Sequence, residues 1–306
     1  MLNLAPIDTP NEITQDLTAR FFLFLDAKPK TVETYTRALR QFFKYLSVNN
    51  ISRPSREDII AYKSVLMHSC KPSTVSSYLS AVKAFFSWTE QERIYPNIAV
   101  HIKGAKIDRG FKKDYLTAAQ AKTVLRGVDN NSTNGMRDYA LLCLMVTCGL
   151  RTIEVVRADV SDLRALGNDT VLYVQGKGHD EKTDFVKVPP QTEAALRAYL
   201  ISREAADGEP LFTSTSNNSK GQRMTTRSIS GIVKHYLVSS GFNSERLTAH
   251  SLRHTAVTLS LLSGRSLDET QQFARHSNIA TTQIYNHALE RSKNGCSAAI
   301  SAVLFD

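Results

Sequence analysis

Cysteine is scarce in this chain: Cys70, Cys143, Cys148 and Cys296 are the four in 306 residues, with no CxxC pair and no framework spacing. That excludes a disulfide scaffold and a thiolate zinc site, and it suits a reducing compartment. Long apolar runs are missing too. The most apolar stretch, ALLCLMVTCGL from Ala140 to Leu150, is well short of the roughly 20 residues that cross a bilayer. The first residues lack the basic and apolar regions of a secretory signal, so no membrane partner and a cytoplasmic protein are expected. There is no internal repeat or low-complexity tract, and no acidic cluster with metal-ligand spacing. Neither a metal nor any other cofactor is expected.

What is present is an ordinary globular composition, 42% hydrophobic and 22% charged, enough for two domains with cores of their own. The formal net charge is +9, and 15 basic minus 10 acidic residues before Gly110 leave +5, against 23 minus 19, or +4, after it. A surplus in both halves fits two modules that each meet a polyanion.

The first hundred residues carry apolar side chains three and four apart: Leu17, Phe21, Phe22 and Leu25, then Tyr35, Leu39, Phe42, Phe43 and Leu46. This spacing predicts helices. Ser55 with Asp58 reads as a capping box opening a third helix, and Pro72 opens a fourth. Asn97 to Leu116 lacks periodicity and carries Lys103, Lys106, Arg109, Lys112 and Lys113, a basic linker. Thr117 and Gln120 form another capping box, after which an apolar helix runs towards Leu150. TVLYVQ and DFVKVP, around the polar turn GKGHDEKT, predict one β-hairpin. Helical patterns resume at TEAALRAYLISREA and continue to TTQIYNHALE. The expected fold class is mainly α with a small antiparallel β-sheet.

Several polar residues fall at element ends of the second half: Arg151 after TCGL, Lys177 in the hairpin turn, His250 and Arg253 in HSLRH, His276 in ARHSN, and Tyr285 in TTQIYNH. These are groups that suit a phosphodiester. Guanidiniums fork onto non-bridging oxygens, lysine and histidine move protons, and a tyrosine oxygen can attack phosphorus. Taken singly, Arg151 could equally cap a helix, Lys177 sit solvated in a turn, His276 end a surface helix, and Tyr285 pack in a core.

Taken in order, the blocks CGLRTIEV, VQGKG, HSLRHT, ARHSN and TTQIYNH resemble the tyrosine recombinases, the phage-integrase-type site-specific recombinases. KTVETYTRALRQFFKYL and STVSSYLSAVKAFFSW resemble the helical core-binding domain of the same enzymes. The resemblance implies a core-binding domain over residues 1–100, a linker over 101–113, and a catalytic domain with a C-terminal tail over 114–306. It implies that Arg151 and Arg253 grip the scissile phosphate and that Tyr285 is the nucleophile. Lys177 would protonate the departing 5′ hydroxyl. His250 and His276 would bind the phosphate and assist proton transfer, His250 being the better acceptor of the tyrosine proton. Glu154, three residues after Arg151, would buttress the site. Lys182, in the same turn, is the alternative acid, and His254 and His287 read as structural. One departure stands out: the family usually has a small residue, most often glycine, before the second histidine, where this chain has Arg275. That cation could contact DNA or point into solvent.

The implied partner is double-stranded DNA carrying a specific site, held mostly through phosphates. Candidate contacts are Thr34, Arg37, Lys71, Thr74, Ser77, Tyr78 and Lys83 in the first half, and Arg227 and Ser228 in the second. A homotetramer is implied, with the apolar tail CSAAISAVLFD docked on a neighbouring copy, and accessory or directionality proteins are possible partners. The role expected is first the integrase of a mobile element and second an Xer-type resolvase, in a prokaryotic cytoplasm and associated with the nucleoid. Two alternatives remain open, a type IB topoisomerase-like relaxing enzyme and a non-catalytic DNA-binding protein of the same fold.

Overall fold

A computed structural model describes residues 17–106, 114–176, 181–293 and 295–305. They fall into two compact units, dividing between Arg109 and Gly110.

The first unit holds α1 (Leu17–Phe24), α2 (Pro29–Val48), α3 (Arg56–Ser69) and α4 (Pro72–Gln91). Pro29 and Pro72 start their helices, where the missing N–H costs nothing and the fixed φ is already helical. Ser55 and Asp58 exchange both bonds of a capping box. The helices close on an aromatic core of Phe21, Phe42, Phe85, Phe86 and Trp88, all 3% exposed or less. Each such side chain contributes about 1.5–3 kcal/mol by leaving water.

In the second unit α5 (Ala118–Arg126), capped by Thr117 and Gln120 as its sequence predicts, leads into α6 (Thr133–Thr147). Ala140 to Met145 are all buried, so α6 is enclosed on every side, packing against α5, α7, α8 and α10. It stops where Gly149 turns left-handed at φ 60°. Next come α7 (Thr152–Arg157), β1 (Leu163–Leu166), β2 (Asp169–Val174) and β3 (Asp184–Lys187). The sheet is antiparallel in the order β1-β2-β3, with Leu163 opposite Leu172 and Leu172 opposite Val186. The sequence predicts only the β2–β3 hairpin; β1 adds a third strand. Helices α8 (Pro190–Ser202), α9 (Thr226–Ser239), α10 (Ala249–Leu262), α11 (Leu267–Ala274), α12 (Ile279–Lys293) and α13 (Cys296–Phe305) complete the unit. Among the described residues no helix is long and apolar enough to cross a membrane.

Candidate active site

The site is built where α6, α7, α10, α11 and α12 meet in the second unit. α10 turns Ala249, Leu252, Ala256 and Val257 into the core, and Arg253 shares that face at 1% exposure. A guanidinium is tolerated there because helix-terminal carbonyls receive it. One terminal nitrogen donates to Gly149 O at 2.5 Å, just past the end of α6, and the other to Ala274 O at the end of α11. Carbonyls in these places carry the negative end of the helix dipole. Glycine suits position 149 twice over, by its positive φ and because a Cβ there would press on the Phe273 ring at 3.1 Å.

Arg151 precedes the first turn of α7, and Glu154 lies one turn on. The Glu154 carboxylate is fully buried and accepts from the Arg151 guanidinium at 2.7 Å and the Arg151 backbone N–H at 2.8 Å. The (i, i+3) spacing thus becomes an ion pair. Arg275 neither points into solvent nor extends outward: its side chain is 9% exposed and donates at 2.8 Å to Glu154 Oε2, the oxygen that also accepts from the Arg151 backbone N–H. The backbone at residue 275 is left-handed. Burial alone would raise the Glu154 pKa, but the Arg275 charge and the Arg151 hydrogen bonds and charge outweigh it and hold the carboxyl below its ordinary value. Three guanidiniums around one carboxylate leave the cluster with positive charge that a phosphodiester would neutralise.

Tyr285, on α12, is 4% exposed. Its ring lies 6.2 Å from that of His276, nearly parallel, and 5.2 Å from that of His254. The tyrosine hydroxyl is hydrogen-bonded to His254 Nδ1, and His254 in turn sits edge-on to His250 with centroids 4.5 Å apart. His254, read as structural from sequence, therefore lies against the prospective nucleophile. HSLRH contained the signal, since His254 is one turn from His250, but nothing local shows that α12 folds over it. His287 is exposed and pairs with Glu290. His276 is 8% exposed with Nδ1 2.9 Å from Thr282 Oγ1. His250 lies at the exposed start of α10. Lys182 is engaged by Asp159 at 2.6 Å and by Asp162, which ties it to the sheet's base rather than offering it as an acid. Lys177 lies outside the described residues.

Burial, partly offset by Arg253 and Arg151, pushes the Tyr285 hydroxyl up to about 12, so at neutral pH it is protonated and needs an acceptor to become a nucleophile. Arg253 is lowered to about 9 by burial and by the like charge of Arg151, and stays cationic at neutral pH. His276 is lowered to about 4, first by burial, then by the charges of Arg253, Arg151 and Arg275. Between its ordinary 6.5 and about 4 the unfolded chain binds a proton that the folded chain refuses, so this contribution to stability is full above 6.5 and is lost as pH falls towards 4. Urea midpoints should therefore drop across that window, and drop less in His276→Gln. An identical pH dependence in the variant would count against the burial of a neutral imidazole.

Residues 114–291, more than half the chain and containing every one of these side chains, match the phage integrase family model. The chain belongs to the phage integrase family. Residues 16–95 match the N-terminal SAM-like domain of phage integrases. Among curated relatives, tyrosine recombinase XerC of Caldanaerobacter subterraneus subsp. tengcongensis is 32% identical over 180 residues, 56% of this chain and 47% of the relative. The chain thus spans about half the length of that relative. Tyrosine recombinase XerC of Herpetosiphon aurantiacus is 30% identical over 272 residues, 84% of each. Among solved structures, XerH site-specific recombinase bound to palindromic difH substrate, in a post-cleavage complex, superposes with a TM-score of 0.73 at 22% identity, covering 88% of this chain and 79% of that one. This likeness shows the fold, a mainly helical phage integrase architecture with a small antiparallel sheet.

The candidate DNA contacts of this family member fall on α2 and α4 of the first unit and on α9 of the second. Lys71 precedes α4, with Thr74, Ser77, Tyr78 and Lys83 along it, all but Lys71 half-buried. Tyr78 also packs on the core of the first unit. On α2, the Thr34 hydroxyl donates to Lys30 O, and Arg37 is exposed and paired with Glu33 at 3.1 Å. Arg227 and Ser228 are exposed in the first turn of α9, where Ser228 also bonds the Thr225 cap.

Proposed function

We propose that this phage integrase family member is a site-specific DNA recombinase working through a 3′-phosphotyrosyl intermediate. The observation that carries the reading is the gathering of Arg151, Arg253, His276 and a buried tyrosine at one cationic site, from the start of α7, from α10, from the turn after α11 and from α12, spread over about half the chain. In the proposed reaction the Tyr285 oxygen attacks the scissile phosphorus and the bond to O5′ breaks. The tyrosine proton passes to an imidazole of the His254–His250 pair, and Lys177 supplies a proton to the departing 5′ oxygen. Arg151 and Arg253 stabilise the charge of the five-coordinate phosphorus. Attack of a 5′ hydroxyl from a second duplex on the phosphotyrosine reverses these steps, exchanges strands and yields a Holliday junction. Four copies around two duplexes are needed. The Xer names of its relatives favour resolvase over mobile-element integrase, acting in a cytoplasm on nucleoid DNA.

Incubating the protein with a randomised library of nicked duplexes in EDTA, then sequencing DNA retained through denaturant, tests this. An adduct of defined sequence is expected. Supercoil relaxation without a defined site would favour the topoisomerase-like alternative, and specific binding without an adduct the non-catalytic one.

The proposed tetramer has a use for α13. Ile300, Val303, Leu304 and Phe305 are all more than half exposed, an apolar stretch that a neighbouring copy would cover. Deleting residues 296–306 should impair synapsis and strand exchange more than binding to a single site. Normal recombination by the truncated chain would refute the tail's role.

A further inference from the structure

Arg275 ends α11 with φ 53° and ψ 48°, a left-handed conformation in which a side chain is strained and glycine is the ordinary occupant. The guanidinium is nevertheless buried. One terminal nitrogen donates to Phe273 O at 3.0 Å, the other to Glu154 at 2.8 Å, and the buried Nε–H has no partner. Left-handed strain, a buried charge and an orphaned donor are each unfavourable. Their coincidence on one side chain calls for something that this arginine does for its neighbours.

Those neighbours are the site. Glu154 divides its two oxygens between the guanidiniums of Arg151 and Arg275. Arg151 also donates to the Arg275 carbonyl at 3.3 Å. The ring closes: Arg151 side chain, Glu154, Arg275 side chain, Arg275 backbone and back to Arg151. It joins the first turn of α7 to the turn between α11 and α12, where the next residue is His276. A Glu154 paired with Arg151 alone would draw that guanidinium's charge to itself. With Arg275 sharing the carboxylate, more of the Arg151 charge is left for a phosphate.

We propose that Arg275 is a positioning residue of the phosphate site, acting through Glu154 to fix Arg151 and through the turn backbone to fix His276. The proposal rests on the reading of this cluster as a DNA-cleaving site.

Single-turnover cleavage of a nicked duplex recovered by Tyr285-dependent trapping tests it. Arg275→Gly, relieved of left-handed strain, should melt no lower than wild type and bind the duplex unchanged, yet cleave about tenfold to a hundredfold more slowly, the scale of a misplaced reacting group. Arg275→Lys, which restores a cation beside Glu154, should recover part of the rate, since the carboxylate receives one bond from Arg275 rather than a fork. Glu154→Gln should be slow, and adding Arg275→Gly to it should slow it by less than about twofold, because coupled residues are not additive. Wild-type cleavage by Arg275→Gly would overturn the proposal, as would a rate loss that merely follows a lowered melting temperature, or full multiplication of the two effects. No adduct from the wild-type protein would instead remove the underlying reading, and this proposal with it.

Discussion

Tyr285→Phe is expected to bind the duplexes that wild type captures and to form no covalent adduct with them. The ring packs between His276 and His254, contacts that phenylalanine keeps, so neither fold nor DNA affinity should change appreciably. What is lost is the oxygen. Its high pKa, raised by burial to about 12, is no bar to the proposed reaction, because an imidazole already stands at the hydroxyl and the two guanidiniums would meet the charge that develops on phosphorus. Denaturing gels after incubation with nicked duplex read the result directly. An adduct that persists in Tyr285→Phe would reassign the nucleophile, and one that vanishes with chelator would bring a metal into the mechanism.

Lys177→Ala is expected to lower the cleavage rate of ordinary DNA by about 10²–10⁴-fold, the usual contribution of a general acid. At 1.36 kcal/mol per decade this is about 2.7–5.4 kcal/mol of barrier. A 5′ alkoxide is a poor leaving group. Sulfur in place of the bridging oxygen leaves as a thiolate without a proton, so Lys177→Ala should regain much of its rate on that substrate. Arg151→Ala and Arg253→Ala should stay slow on both substrates, having lost the groups that stabilise transition-state charge. Lys182→Ala should not be rescued, since its ammonium is held by Asp159 and Asp162. Rescue of Lys182→Ala in place of Lys177→Ala would move the acid, and rescue of neither would take it out of the hairpin.

The elements most legible in the sequence are those specified locally. Ser55 with Asp58 and Thr117 with Gln120 announce their helices because a capping box closes within four residues, and the apolar spacing of α2 and α4 is that of one buried helical face. β1 was not legible. Only Leu163 of its four residues is even partly covered, so no alternation marks it, and it is a strand because β2 offers it a partner edge.

At the candidate site the residue types, their order, and the Arg151–Glu154 pair one turn apart were readable, because they depend on chain order or on a single helical turn. The sequence by itself determined which chemistry-bearing groups are present, and that two helical units and a hairpin carry them. Tertiary structure alone decided that Arg275 turns inward to share Glu154, across 121 residues of chain, and that the Tyr285 hydroxyl meets His254 across 31. Both contacts depend on how α7, α10, α11 and α12 pack against one another. No periodicity within any one of those helices encodes the direction in which a neighbouring helix will deliver its side chain.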